Sequence, residues 1–322
     1  MGPTATAGLW GVLCVGMIVF AAVAQFGIGA RAFVGAFAAF ALLFGAMLLF
    51  ASRGIVDRVA AAGPGAGWLL GVALFLVYIL YSVGTGTLNF LRLGEVALFL
   101  FGPLAILASA RGAAAGTWQD FLVIAGIWIA VKFGPSCSIW PYPEGKFSYI
   151  LTVLLAVNIA IAGFLVLRRA KGAGYTIGWG QRWTFFVLAS FATFALVAIW
   201  LGFRLHFIAF DPQWHRWKTE PALALGILFF TAWPEEFLFR GLLQNFLTRA
   251  SNNDWAGWIG ASVLFGLSHI TNGGFPNWRY AILASIAGLF YGWTWRKTGS
   301  IFASALVHAA VDVFWHFLFR TL

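Results

Sequence analysis

Charge is scarce in this chain: Asp, Glu, Lys and Arg together make up 9% of its 322 residues. A soluble domain carries about 25%. With 61% hydrophobic residues and a mean hydropathy of +0.89, there is too little polar surface to hold such a core in water. A soluble globular protein is therefore excluded. Disorder is excluded as well, because 34 Phe and 17 Trp must be buried somewhere. Cysteine is nearly absent. Cys14 lies in an apolar run and Cys137 in a loop, which makes neither a disulfide framework nor a CxxC metal site. The chain contains no HExxH, no internal repeat and no low-complexity linker. Acid is scarcer than base, 10 against 20, for a formal charge of +10. The basic residues stand singly or in pairs between apolar runs, as at helix ends beside lipid head groups, and form no nucleic-acid-binding face.

What the chain does have is long apolar runs. A span needs about 20 residues, and candidates fall at 8–29, 33–51, 67–83, 95–110, 118–134, 147–167, 183–204, 221–245, 255–270, 278–295 and 300–319. The third, fourth, fifth and ninth are short, and some can merge or re-enter, so about 8–11 spans are expected. The fold class expected is all-α, a polytopic transmembrane helical bundle. No basic residue precedes the first run, which continues into a second, so a cleaved signal peptide is not expected. The opening Met-Gly-Pro-Thr-Ala-Thr fits only a loose myristoylation pattern. Loops on the N-terminal side, with Arg53, Arg58 and Arg111 among them, hold ten basic residues. The opposite loops hold eight, diluted by acids that include Glu95 and Glu144. The positive-inside rule then places the N-terminus in the cytoplasm. The polar stretch from His206 to Glu220, with Trp214 and Trp217, reads as an interfacial segment at head-group level.

The informative residues are polar ones inside the C-terminal spans, where ionisable groups are costly and mark functional sites. The run Pro234-Glu235-Glu236-Phe237-Leu238-Phe239-Arg240-Gly241 places three of them in one apolar helix. Glu236 and Arg240 are four apart and can neutralise each other. Glu235, turned about 100° away, falls outside that pair. A carboxylate so placed in low dielectric suits proton transfer near neutral pH. Phe265-Gly266-Leu267-Ser268-His269 closes the ninth run, and His308-Ala309-Ala310-Val311-Asp312 puts His and Asp on one face of the last. If these spans start from one membrane face, Glu235, His269 and Asp312 fall roughly 18–21 Å below it and His308 about 12 Å. The tenth run carries a stripe of small residues, Ala284, Gly288 and Gly292, against which helices can pack closely. A shared intramembrane site follows.

These residues in this order resemble the CPBP family of CAAX-protease and bacteriocin-processing intramembrane endopeptidases, also described as Abi-like. The family pattern is EExxxR, then FxxxH, then HxxxN or HxxxD. Glu235, Glu236 and Arg240 match the first, Phe265 and His269 the second, His308 and Asp312 the third. The turn Thr298-Gly299-Ser300-Ile301 before the last helix is also similar to the family. The resemblance covers about 183–320 and implies a protease core at 183–322, preceded by N-terminal transmembrane helices of unknown role at 1–182. It implies a peptide hydrolase with a catalytic set of Glu235, Glu236, Arg240, His269, His308 and Asp312. In that reading Glu235 and His269 activate water. His308, oriented by Asp312, serves the oxyanion or the leaving group, while Glu236 and Arg240 brace the helix and tune its field.

Cofactor and competing functions stay open at this point. The family has been read both as glutamate-dependent and as metal-dependent, so the cofactor is none or a divalent metal such as zinc. A metal would take Glu236, His269, His308 and Asp312. The implied partners are membrane lipid and a protein or lipidated protein with a membrane-associated C-terminal tail; nucleic acid is not among them. The expected location is a bacterial cell (inner) membrane. A proton-coupled transporter would use the same residue types as a relay. A non-catalytic membrane scaffold or immunity protein is the other alternative.

Overall fold

A computed structural model describes residues 2–23, 30–52, 54–134, 136–143 and 145–322. Arg53 and Glu144, counted above among the loop charges, lie outside the described residues, as do 24–29 of the first expected span and the side chain of Cys137. The all-α polytopic bundle is what forms. Among the described residues seven helices are long and apolar enough to cross a membrane, fewer than the 8–11 expected. Three of the expected spans account for much of the difference. The fifth forms a helix of 16 residues, Trp118–Phe133, and the ninth one of 14, Asp254–Leu267. The tenth, Trp278–Thr298, has the length, but Arg279, Arg296 and Lys297 dilute its hydropathy.

The chain divides into two compact units, Met1–Lys171 and Gly172–Leu322. The first contains α1 (Pro3–Val23), α2 (Ala30–Phe50), α3 (Ile55–Ala61), α4 (Gly65–Thr85), α5 (Phe90–Ser109), α6 (Trp118–Phe133) and α7 (Lys146–Leu167). Its centre is α7, almost wholly buried. Just past the end of α7, Arg168 grips Asp120 of α6 with two parallel hydrogen bonds of 2.9 and 2.7 Å. The same guanidinium donates to the carbonyls of Ala110, Ala113 and Ala114 beyond α5. A fork of charge-assisted bonds thus fixes three helix ends.

The second unit contains α8 (Trp183–Arg204), β1 (Ile208–Phe210), α9 (Glu220–Ser251), α10 (Asp254–Leu267), α11 (Trp278–Thr298), α12 (Ile301–Leu318) and β2 (Phe319–Thr321). β1 and β2 pair antiparallel with Ile208 opposite Thr321 and Phe210 opposite Phe319. This pairing modifies the interfacial reading of 206–220. Phe207, Ile208 and Phe319 are buried with Leu283 in one cluster, so burial draws the start of that segment inward. Trp214 and Trp217 stay exposed.

Close approach of α10 and α11 is written in their small residues. A Cβ on Gly288 would lie 3.0 Å from the Cα of Ser262, and one on Gly292 would lie 2.7 Å from Trp258 Cδ1. Gly266 faces Ser285 and the carbonyl of Ala281 with no room for a methyl group. α11 ends at Gly299 with φ +64°, a left-handed cap. Ser300 then opens α12, its side chain accepting from the Ala303 amide. A strap ahead of α8 closes the same end. The Gly174 carbonyl accepts from the Ile301 amide at 3.0 Å, and Tyr175 packs on Phe237 at 4.7 Å between ring centres.

Candidate active site

α9 is 32 residues long and carries Pro234 in its middle. Proline has no N–H to give the preceding turn. Wide π-type turns at Leu228–Ala232 and Phe237–Gln244 flank the break, a distortion typical of functional sites. The adjacent acids Glu235 and Glu236 stand between them.

Glu236 is wholly buried and has three partners. Its Oε1 accepts from His308 Nδ1 at 3.0 Å and lies 3.1 Å from Arg240 Nη1, the i,i+4 ion pair expected from the sequence. Its Oε2 accepts from the Ser304 hydroxyl at 2.5 Å. Arg240 is equally buried, donates to the Gly288 carbonyl at 3.2 Å, and lies 4.4 Å from the centre of the Phe265 ring. A buried ion pair is tolerated only with such added contacts.

His308 meets both acids. Its ring stacks on Tyr291 at 4.7 Å and meets the Phe265 ring edge-on at 5.6 Å. Because a carboxylate only accepts, Nδ1 carries the hydrogen given to Glu236, and in the neutral ring Nε2 keeps its lone pair. Nε2 lies 3.9 Å from Glu235 Oε2 and 3.6 Å from Asp312 Oδ2. Both separations exceed a direct hydrogen bond. The carboxylate hydrogen-bonded to His308 is therefore Glu236, with Asp312, expected from the sequence to orient the ring, 3.6 Å away.

His269 follows the end of α10. Its Nδ1 lies 2.8 Å from the Phe265 carbonyl and 3.0 Å from Ser268 Oγ, and its ring lies between Phe265 and Tyr280 at 4.7 and 5.4 Å. A carbonyl also only accepts, so in that contact Nδ1 carries the hydrogen given to Phe265. Phe265 touches both histidines and Arg240. Exposure separates the acids: the side chains of Glu235 and Asp312 are 29% and 31% exposed, against 0% for Glu236. Glu235 and Asp312 are the partly exposed carboxylates of the group.

Glu235, Glu236, Arg240, His308 and Asp312 thus gather around one imidazole, with His269 across Phe265. Sequence reasoning missed Ser304, Tyr291 and the Gly288 carbonyl. Ser304 had a usable signal, since Ser304, His308 and Asp312 follow one another at i,i+4 on one helix face. Tyr291 had none.

The zinc set read from the sequence does not fit this arrangement. Among the described residues no three His, Cys, Asp or Glu side chains are placed to hold a metal ion. Glu236 is committed to Arg240, His308 and Ser304, and the Arg240 cation beside it opposes a second one.

Residues 217–314 match the family model described as Rce1-like: Type II CAAX prenyl endopeptidase Rce1-like. That stretch is consistent with the CPBP/CAAX-protease family and includes every residue of the three motifs. The match spans 98 of the 322 residues and is a likeness of that stretch to the family. No curated protein and no solved structure matches the chain.

Proposed function

We propose that this site hydrolyses a peptide bond near the membrane-associated C-terminal tail of a protein, with Glu235 as the base that activates water. The observation that carries the reading is the clamped imidazole: Glu236 holds His308 Nδ1 at 3.0 Å, and Nε2 faces Glu235 across 3.9 Å. A gap of that size suits one water oxygen bonded to both groups. Glu235 takes a proton as the hydroxyl adds to the carbonyl carbon, then returns it to the nitrogen as the C–N bond breaks. His308 aims the water. His269 offers a second basic nitrogen on the far side of Phe265, and Asp312, partly exposed, adds a polar wall. Arg240 holds Glu236 in place.

Two substrate types fit a membrane-edge site of this kind: a prenylated C-terminal tail, and the sorting tail of a secreted or lipid-anchored protein. The charge balance of the loops supports a cytoplasmic N-terminus, and a bacterial inner membrane is proposed as the location. The experiment is proteolysis of tail peptides, with and without a prenyl group, by purified protein in detergent. Cleavage by the wild type that is lost in Glu235→Ala and His308→Ala is expected. Folded wild type that cleaves no tail peptide overturns the reading.

A further inference from the structure

The buried face of α12 holds a polar group that none of the three motifs includes. Ser304 is wholly buried, with its oxygen 2.5 Å from Glu236 Oε2 and 2.9 Å from the carbonyl of Tyr291 on α11. Both neighbours are acceptors, yet a hydroxyl has one hydrogen. The Tyr291 carbonyl lies within α11, where the helical ladder supplies it an amide donor. The ionised carboxylate has the stronger pull, and the hydrogen goes to Glu236.

The other carboxylate oxygen explains why that matters. Oε1 faces both Arg240 Nη1 at 3.1 Å and His308 Nδ1 at 3.0 Å, and among the described residues only Ser304 hydrogen-bonds Oε2. Without it, a buried lone pair loses its donor, and the carboxylate gains by turning Oε2 toward Arg240 or His308. Either turn loosens the bond that fixes the His308 ring. We propose that Ser304 is a positioning residue, which locks the rotation of the Glu236 carboxylate and through it the tautomer and direction of His308. It touches neither substrate nor water. Its kinetic effect rests on the proposed hydrolysis, whereas its effect on His308 does not.

Three substitutions separate hydrogen bonding from packing. Ser304→Ala removes the donor and leaves more room, Ser304→Cys keeps the shape with a weak donor, and Ser304→Thr keeps the hydroxyl with an added methyl group. In cleavage of a tail peptide, Ala and Cys are expected to lower kcat by about 10- to 100-fold. KM should change less than about twofold, and the pH profile of kcat should be displaced, while Thr retains most of the activity. A Cys variant that matches wild type, or an Ala variant with unchanged kcat and pH profile, overturns the assignment. If Thr fails to fold, Ala against Cys still decides.

The histidine 15N signals of wild type and Ser304→Ala, recorded in detergent without substrate, give a reading that needs no activity. His308 Nδ1 is expected to move and His269 to stay. An unmoved His308 overturns the proposal even in an active enzyme, whereas a moved His308 in a protein that cleaves nothing sinks only the hydrolase reading.

Discussion

His308 holds Glu236 through Nδ1 at 3.0 Å while its other nitrogen lies 3.9 Å from Glu235. Two adjacent acids are thereby given different tasks by one ring. Glu236, buried and bound to Arg240, cannot move without breaking an ion pair. Glu235, with 29% of its side chain exposed, is the acid proposed to act on the substrate.

Glu235→Gln tests that division. The substitution keeps size and removes the base, so kcat should fall by about 10²- to 10⁴-fold. The melting temperature in detergent should stay within about 2 °C of wild type, because partly exposed Glu235 contributes little to packing. A variant that keeps wild-type turnover removes Glu235 from the chemistry. A large drop in melting temperature would make it structural.

Arg240→Met should behave in the opposite way. It leaves Glu236 buried without its ion pair, at a cost of about 3–5 kcal/mol. The double variant Glu236→Gln with Arg240→Met removes both charges and should recover most of that stability, yet remain inactive because the clamp on His308 is weakened. Unfolding in denaturant, followed by tryptophan fluorescence, gives both values. Equal stability for the single and double variants would mean that the pair is not coupled.

How much of this was legible depends on range. The Glu236–Arg240 pair is local, four residues on one helix, and the sequence shows it directly. Apolar runs of span length announce the bundle for the same reason. Glu235 was expected to turn away from its neighbour, but both carboxylates reach His308 on the antiparallel α12, a contact 72 residues distant in sequence for Glu236. Wide turns on either side of Pro234 have no sequence period to reveal them. Nor do β1 and β2, three residues each and more than a hundred apart. Ser304 was passed over, although it stands four residues before His308 on the same helix face. Asp312 was expected, from the family resemblance, to orient His308, whereas the hydrogen bond from the ring goes to Glu236, a contact between distant segments.

The donor set gives a prediction about metals. With Glu236 tied to Arg240 and no three metal-binding side chains converging among the described residues, chelators should leave cleavage unchanged. Incubation with 1,10-phenanthroline or EDTA, followed by metal analysis and assay, checks this. Loss of activity that zinc restores would contradict it and require the site to rearrange around the ion.

Gly266 tests whether the site depends on how closely α10 meets α11. A methyl group there would strike Ser285 Oγ and the backbone carbonyl of Ala281, and a carbonyl cannot swing aside. Gly266→Ala should therefore push the helices apart, with a loss of about 1–3 kcal/mol. His269 lies three residues further on, stacked against Tyr280 of α11 at 5.4 Å, so cleavage should fall with stability. Ser285→Ala removes one of three collisions, leaving the Ala281 carbonyl and the Ser285 amide nitrogen, and should restore only part of stability and cleavage. Gly226→Ala is the control, because no atom lies within 4 Å of a Cβ there. It should be neutral or slightly stabilising by helix propensity. If both alanines behave alike in thermal unfolding and in peptide cleavage, the contact between α10 and α11 does not set the geometry of His269.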